Sequence, residues 1–333
     1  MQESGLDVLD RRLLHALQIE PRAAWTALAP VVGADAATLS RRWQRIADEG
    51  LAWSTGILGW DSGALVEVEC EPAALAAVTD ALVDDPQVAT VDRTVGTRDL
   101  FLTLIGSDPD LAARFTTEKL SHLPGIRSAR THLVVDYIVE GGAWRFRELT
   151  AGEATRIPPA AAPRPRAARV VAPELRAVVG YELGLDGRAS AAAIADRHGV
   201  SPQRVVDAIA TLRASGELRL RTDVARRLSS WPVYAWYFVE VPASLLAPLR
   251  TALGKVPEVR LAVECATRYN LILAVWLRSL ADISGFEVAL ERAAPGARIA
   301  DRSVVSGIAK HLGHALDDRG QATGRIVSMS PRP

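Results

Sequence analysis

The 333-residue sequence is poor in the residues that disulfide, thiol-redox and cysteine-metal chemistry require. It contains two cysteines, two methionines and six histidines, and aromatic residues make up only 5% of the chain. Cys70 and Cys265 lie far apart in apolar stretches, without the C-x-x-C spacing typical of zinc or redox sites. We therefore expect two buried thiols, and we predict neither a disulfide framework nor a metal site.

Net charge and long apolar runs are also missing. Basic and acidic residues number 39 each, so the chain projects no strong overall field toward nucleic acid or membranes, and any DNA-binding surface must be local. No run approaches the roughly 20 apolar residues that span a bilayer, and the N-terminus lacks the basic-then-apolar pattern of a signal peptide. We expect a cytoplasmic protein with no membrane association.

Hydrophobic residues are plentiful at 49%, and their spacing predicts compact domains. Leucines at three- and four-residue steps from Leu6 to Leu17 predict one helix, Gly33 ends a second, and Asp35 caps a third that ends at Gly50. Between Leu65 and Glu140 the pattern changes to strand, helix, two strands, helix and strand. That order is the ferredoxin-like β-α-β-β-α-β unit.

The same plan recurs after a Pro/Ala/Arg-rich stretch that predicts a semi-rigid linker without a packed element. Gly199 and Gly216 repeat Gly33 and Gly50 at one offset of about 166 residues, which indicates a duplication. The predicted fold class is α+β, with two winged helix-turn-helix domains, each followed by a ferredoxin-like βαββαβ domain. The predicted boundaries are 1–60 and 61–150 for the first pair, 151–172 for the linker, and 173–228 and 229–333 for the second pair and C-terminal tail.

The third helix is the predicted DNA-binding element, because in a helix-turn-helix this helix enters the major groove. Leu39, Trp43 and Ile46 share its inner face. The outward residues are polar or basic, which suits contacts to bases and phosphates, and they are Thr38, Ser40, Arg41, Arg42, Gln44 and Arg45. The alternative is that these arginines merely solvate an exposed helix.

We predict that the second copy of the helix-turn-helix contacts double-stranded DNA more weakly than the first. Its corresponding helix presents Ser201, Gln203 and Arg204, but Asp207 and Glu217 would repel phosphate. This copy therefore binds DNA poorly or serves mainly as a packing partner. Two arginines on the short strand that follows, Arg219 and Arg221, are candidates for a wing beside the DNA backbone.

Residues 6–51 resemble the N-terminal domain of the Lrp/AsnC (feast/famine) family of bacterial regulators. The matching positions include Leu6-Asp7-x-x-Asp10, Leu14, Leu17, Arg22, Leu28-Ala29, Arg42, Ile46 and Gly50-Leu51. The resemblance implies a transcription regulator in which a DNA-binding domain precedes an amino-acid-sensing domain. The duplicated layout resembles the double-Lrp proteins of actinobacteria. It further implies that the ferredoxin-like sheets pair face to face, either within one chain or between chains, and that the protein is a homo-oligomer.

The resemblance also implies an effector site at the turn between the second and third strands, where the family carries Gly-x-x-Asp. Gly96 and Asp99 match this motif, Thr131 matches a position that lines the same pocket, and Arg98 meets either a carboxylate or only water. The alternative is an ordinary hairpin turn. In the second copy both motif positions differ, at Thr267 and Asn270, so that pocket is expected to be altered or empty.

An enzyme is the main alternative, because the ferredoxin-like fold hosts many activities. The sequence contains no recognisable nucleophile motif or phosphate loop, so we predict no catalytic residue, cofactor or metal. His311 and His314 have a spacing compatible with metal ligation on a helix, but in an amphipathic tail we expect bystanders. The specific alternative is an Lrp-like enzyme subunit of the heme-pathway decarboxylase type, without a DNA-binding role.

Overall fold

The computed structural model describes residues 5–59, 62–106, 108 and 110–333. The N-terminal segment forms three helices and one strand, namely α1 Val8–Ile19, α2 Trp25–Val32, α3 Ala36–Asp48 and β1 Ala52–Leu58. Asp7 caps α1, since its side chain accepts a hydrogen bond from the Asp10 amide at 2.8 Å. Asp35 caps α3 in the same way through the Thr38 amide, as its position before the helix predicts.

The first ferredoxin-like unit has the predicted order of elements. These are β2 Ser62–Cys70, α4 Leu75–Val83, β3 Val88–Val95, β4 Leu100–Gly106, α5 Leu111–Arg114 and β5 Ile126–Val139. The second helix is shorter than predicted, because the backbone continues as a π turn over Phe115–Lys119 and a 3-10 turn over Leu120–His122.

The beginning of the predicted linker is packed rather than extended. A short helix, α6 Ala151–Ala154, is closed by a capping box between Thr150 and Glu153. Glu153 also pairs with Arg12 of α1 at 2.8 Å, and Ile157 lies in the core of the first three helices with 5% exposure. The prediction of a linker without any packed element is therefore wrong for its first residues.

The second half repeats the plan. Its elements are α7 Pro173–Leu185, α8 Ala191–His198, α9 Pro202–Ala214, β6 Leu218–Val224, β7 Val233–Glu240, α10 Ala243–Leu253, β8 Val259–Cys265, β9 Leu271–Leu277, α11 Asp282–Ala293 and β10 Arg298–His311. The C-terminal tail adds β11 His314–Leu316 and β12 Ala322–Ile326. His311 and His314 therefore lie on a β-hairpin, which corrects the expectation of a helical tail.

Both ferredoxin-like units contribute to one closed barrel. The strands follow the order β3-β4-β2-β5-β8-β9-β7-β10, and β10 pairs with β3 to close the ring. The two junctions between the halves, β5 with β8 and β10 with β3, are both antiparallel. Of the two pairings left open by the sequence, the one within a single chain is confirmed. Closure also protects the strand edges that would otherwise template aggregation.

The barrel separates an aromatic interior from two outer apolar layers. Inside, Phe101 packs against Trp236 at 4.6 Å between ring centroids and against Phe238 at 5.4 Å, so residues of both halves share one core. Outside, the helices of each half cover their own strands. None of the described helices is long and apolar enough to cross a membrane.

The two helix-turn-helix domains share a wing. β1 pairs antiparallel with β6, and Thr55 lies opposite Arg221, which is 166 positions later. Because equivalent residues face each other there, the pair has a local pseudo-twofold axis. α1 packs on β6 and α7 packs on β1, so each domain is completed by a strand of the other.

Candidate nucleic-acid interface and sensing turn

Two equivalent arginines join the helix-turn-helix domains reciprocally. Nη1 of Arg22 donates to the carbonyl oxygens of Gly187 and Ala189 at 2.8 and 2.9 Å. Arg188, which is 166 positions later, donates back to the first domain and reaches the carbonyl oxygen of Ala23 at 3.2 Å. Charged donors on buried carbonyls are among the stronger hydrogen bonds in proteins, so this contact fixes the two domains as a unit.

Further contacts reinforce this unit on one side. The guanidinium of Arg188 lies 3.9 Å above the ring of Trp25, and burial lowers the pKa of Arg188 to about 10. Arg213 of α9 donates to both carboxylate oxygens of Glu20, at 2.9 and 2.7 Å. These bonds link α9 directly to the end of α1.

The outer face of α3 remains available to a nucleic acid in part. Leu39, Trp43 and Ile46 are buried, as predicted from their spacing. Arg41 and Gln44 are exposed, and their hydrogen bonds to other described residues are local to α3, from Arg41 to Thr38 and from Gln44 to Asp48. The predicted contact residues Thr38 and Ser40 are half-buried beside them.

Arg42 and Arg45 have a structural role that the sequence analysis did not anticipate. Arg42 pairs with Asp7 at 2.6 Å and with Asp10 at 2.8 Å, and Arg45 pairs with Asp10 at 2.6 Å. Asp10 is only 1% exposed, so its charge depends on these two partners. Together the two arginines hold α3 against α1, a role that their outward spacing on α3 did not predict.

The second recognition helix, α9, is partly covered by the linker. Ser201 caps it, and Ser201, Gln203 and Arg204 at its start are exposed. One turn further on, Arg164 binds both carboxylate oxygens of Asp207, at 2.8 and 2.7 Å. The hydroxyl of Thr211 donates to a linker carbonyl, that of residue 168, at 3.2 Å.

The charges near α9 are largely neutralised within the chain. Asp207 is paired with Arg164, and Glu217 is paired with Arg176 at 3.0 Å, so neither is the free repelling carboxylate that was expected. Arg221 pairs with the buried Asp223. Arg219 also pairs within the chain, which leaves the wing without the free arginines predicted for it.

At the predicted sensing turn, Asp99 binds backbone. Its carboxylate accepts a hydrogen bond from the Cys70 amide at 2.7 Å, and its own amide donates to the Val68 carbonyl at 3.0 Å. Gly96 has a φ of 127°, a conformation that L side chains rarely adopt. The Gly-x-x-Asp pattern thus has a local structural reason.

Arg98 points into the barrel and is already engaged. Its side chain is 1% exposed and pairs with Glu67 and Asp301, each at 2.6 Å. Its guanidinium lies 4.0 Å above the ring of Phe238. Thr131 instead bonds to Thr116 at 3.0 Å, under the helical layer outside the barrel. The four predicted effector residues therefore do not form one pocket.

Sequence reasoning missed the polar network around Arg98. His132 contacts Glu67 at 2.7 Å and, through its other ring nitrogen, Thr267 of the second half at 2.8 Å. Burial alone would raise the pKa of Glu67, but hydrogen bonds from His132 and Arg98 hold it below its ordinary value. A signal was present, since Glu67 interrupts an apolar strand on its inward face.

The two histidines of the C-terminal hairpin make contacts with the wing. His314 lies 3.0 Å from the Thr55 hydroxyl, and His311 lies 3.4 Å from Asp223. In the ranges that the structure describes, no three histidine, cysteine or acidic side chains are grouped to hold a metal ion.

Comparison with known proteins identifies both domain types in the first half. Residues 6–46 match the AsnC-type helix-turn-helix domain, and residues 63–144 match the Lrp/AsnC ligand binding domain. Both matches lie in the first half of the chain, with the helix-turn-helix domain before the ligand binding domain.

Relatives and solved structures extend the comparison. An uncharacterised HTH-type transcriptional regulator of Pyrococcus horikoshii is 27% identical over 135 residues, which cover 39% of this chain and 85% of the relative. The crystal structure of the siroheme decarboxylase NirDL superposes with a TM-score of 0.57 at 15% identity, covering 92% of this chain and 93% of that one. Its complex with an iron-uroporphyrin III analogue gives 0.58, also at 15% identity, covering 97% and 94%. At this identity the likeness shows a shared fold along nearly the whole chain.

Proposed function

We propose that the protein is a transcription regulator of the Lrp/AsnC type in which one chain supplies a complete pair of DNA-binding domains. The observation that carries this proposal is the reciprocal pairing around Thr55 and Arg221, which relates α3 and α9 by a pseudo-twofold axis. Paired helix-turn-helix domains bind two half-sites whose symmetry mirrors their own. A single chain then takes the place of a dimer.

The two half-sites are proposed to be unequal. α3 offers exposed Arg41 and Gln44, whereas the middle of α9 is occupied by linker residues 164 and 168. The first turn of α9, with Gln203 and Arg204, remains exposed. We expect one strong and one weak half-site in the operator.

Fluorescence anisotropy tests the proposal, using fragments from the genomic neighbourhood of the gene and scrambled controls over a range of salt. A specific complex should weaken steeply with salt, because arginines displace counterions from phosphates. Arg41→Ala should lower the affinity for specific DNA about tenfold. If Arg41 contacts phosphate, the variant should instead reduce the slope of log K against log salt concentration by about 1. Arg292→Ala, at an exposed position on α11, is the matched control. Equal affinity for specific and scrambled DNA would contradict the proposal.

We also propose that a small molecule, an amino acid or a related compound, regulates the protein. The ligand binding domain matched by residues 63–144 supports this proposal. A thermal-shift screen of amino acids tests it, and a shift that survives Asp99→Ala would place the ligand away from the predicted turn. Association of whole chains into a homo-oligomer stays a prediction, and light scattering during size-exclusion chromatography measures it.

A second candidate function is catalysis on a tetrapyrrole, and the whole-chain likeness to the siroheme decarboxylase favours it. In that case the helix-turn-helix domains would have no DNA-binding role. Titration with siroheme decides the matter, since binding shifts the absorption bands of the pigment and decarboxylation changes the mass of the product. A regulator that does not bind siroheme should produce neither the spectral shift nor the change in mass.

A further inference from the structure

An open cavity of about 670 Å³ lies between the DNA-binding unit and the second ferredoxin-like unit. Residues 144–148, which follow the first unit, form one wall, and we name them the first connector. Residues 229–231, which precede the second unit, form another, the second connector. Residues 256–258, the end of β9 and the first turns of α11 complete the lining. Small-molecule sites commonly enclose about 300–1,000 Å³, so the size suits an organic ligand.

The first connector is attached to helix α1 of the DNA-binding unit. The Phe146 amide donates to Oε1 of Gln18 at 2.8 Å, inside the protein. Glu148 pairs with Arg11 at 3.0 Å, and both residues line the cavity. A ligand that moves this connector therefore acts directly on α1.

The second connector continues from the wing strand β6 into the barrel. Ser230 has a φ of 63°, which is unusual for a residue with a Cβ and costs conformational energy. Its neighbour Ser229 is 3% exposed and donates to the Arg226 carbonyl at 2.6 Å. Such strained positions cluster at ligand sites and switch regions.

Positive charge dominates the side chains that remain free to bind a ligand. Arg145, Arg147 and Arg278 line the cavity, and within the described ranges none of them is paired with a carboxylate. Of the lining carboxylates, Glu148 is paired with Arg11, and Asp282 accepts a hydrogen bond from the backbone amide of residue 279. Among the described residues, three unpaired arginines thus face two lining carboxylates without a cationic partner, Glu258 and Asp282.

Aromatic surface accompanies these charges. Trp144 and Trp231 are half-buried in the walls, and Phe286 is buried behind them. The guanidinium of Arg278 lies 5.1 Å from the ring of Trp231. Flat apolar surface next to cationic groups favours a planar molecule that carries a negative charge.

We propose that this cavity binds an organic anion with a planar aromatic body, and that the bound anion regulates DNA binding through the two connectors. The regulation of DNA binding by the anion rests on the function proposed above, whereas the binding of the anion does not. In this arrangement the arginines hold the acidic group and the tryptophans contact the ring. The site is separate from the turn at Gly96, whose arginine is committed to the barrel.

Fluorescence titration of the full-length protein with 8-anilinonaphthalene-1-sulfonate tests the site. The neutral N-phenyl-1-naphthylamine, which has the same rings without the sulfonate, is the matched probe. Arg145→Gln combined with Arg278→Gln should raise the dissociation constant of the sulfonate at least tenfold and that of the neutral probe less than twofold. Arg292→Gln should change neither.

Several results would overturn the site. If the double variant binds the sulfonate as tightly as Arg292→Gln does, the arginines do not hold the anion. If both probes weaken equally in a variant with a lowered melting temperature, the single variants Arg145→Gln and Arg278→Gln repeat the test, and each should still weaken the sulfonate selectively. Loss of selectivity in both single variants would reject the proposal.

The effect of the bound anion on DNA binding is measured separately, by fluorescence anisotropy with the specific DNA fragment. Saturating sulfonate should change the dissociation constant for DNA at least threefold in wild type and leave it unchanged in the double variant. An unchanged dissociation constant for DNA in wild type would overturn the proposed regulation and leave the proposed binding site unaffected. If the protein binds no specific DNA, the function proposed above fails, and the sulfonate titration still decides the site.

Discussion

The two halves of the barrel fill its interior with different chemistry at equivalent positions. Equivalent residues lie 171 positions apart, as the first residues of β3 and β8 show. The first half contributes Glu67 and Arg98, and the second half contributes Phe238 and Tyr269 in their places. One half therefore places charges where the other places aromatic rings.

This difference makes the halves depend on each other. Arg98 lies on the ring of Phe238 and pairs with Asp301, so part of its environment comes from the second half. His132 likewise uses Thr267. A buried charge is tolerated only where it is paired and hydrogen-bonded. A first half paired with a copy of itself would leave Arg98 without Asp301 and His132 without Thr267.

The helix-turn-helix domains have diverged in a similar way. In the first, the buried Asp10 pairs with Arg42 and Arg45. In the second, the residues 166 positions later than these arginines are Ala208, which is buried, and Thr211. The first domain thus uses ion pairs between its first and third helices, and the second uses apolar packing and the linker.

The largest effect is expected from removing both partners of Asp10. Arg42→Ala with Arg45→Ala leaves a nearly inaccessible carboxylate unpaired, which should cost about 3–5 kcal/mol in the free energy of unfolding. Urea denaturation measures this change. Arg41→Ala, on the same helix but exposed, should cost less than about 0.5 kcal/mol. A double variant as stable as Arg41→Ala would erase the contrast between the two domains.

The next effect concerns Asp92, whose counterpart in the second half is the apolar Val263. Burial raises the pKa of Asp92 to about 6, against hydrogen bonds from Trp236 and Tyr234 that lower it. The pKa of Asp92 in the folded protein lies above the ordinary 3.8. The protonated side chain therefore makes its full contribution to the free energy of unfolding below pH 3.8, and this contribution is lost as the pH rises through about 6.

Asp92→Asn removes this charge and retains an oxygen acceptor for the two donors. At pH 7.5 we expect the variant to be more stable than wild type by up to about 3 kcal/mol, at 1.36 kcal/mol per pKa unit. The gain should disappear near pH 4. Urea denaturation at both values measures it, and a gain of the same size at pH 4 would show that charge is not its cause.

The reciprocal arginines test how symmetric the pairing of the two domains is. Arg22→Ala and Arg188→Ala should each cost about 2 kcal/mol, the range of hydrogen bonds from charged donors. Arg188→Ala should cost slightly more, since it also loses the contact with Trp25. Thermal unfolding beside Arg292→Ala measures both. Strongly unequal losses would show that one side alone holds the unit together.

The smallest expected effect is on α9. Arg204→Ala should weaken specific DNA binding less than about threefold, compared with about tenfold for Arg41→Ala, because its helix is partly covered. Anisotropy at one salt concentration compares the two variants directly. Equal losses would mean that the linker leaves α9 during binding.

The local spacing of apolar residues in the sequence predicted much of the fold. The order of strands and helices in both ferredoxin-like units agrees with the order expected from apolar alternation, and the inner face of α3 follows from its spacing. The pairing of β1 with β6 was not foreseen, because the two strands lie some 166 residues apart. Pairing partners at such a distance leave no local pattern in the chain.

The candidate sites were harder to predict for related reasons. The ion pairs of Arg42 and Arg45 join residues 32 and 35 positions apart, which spacing along α3 cannot indicate. Alternation on β5 does separate Thr131 from His132, since neighbours on a strand face opposite sides. The same alternation that places Thr131 outside the barrel places His132 inside it, beside Glu67.

The closed barrel has a consequence for how the protein responds to its own concentration. A regulator assembled from separate subunits loses its second DNA-binding helix on dilution, and it can mix with related subunits. Here the partner is tethered, so the pairing holds at the effective concentration set by the chain itself. For the proposed regulator acting as a single chain, occupancy of an operator should then rise linearly with protein copy number at low abundance, without the threshold that dimer formation imposes.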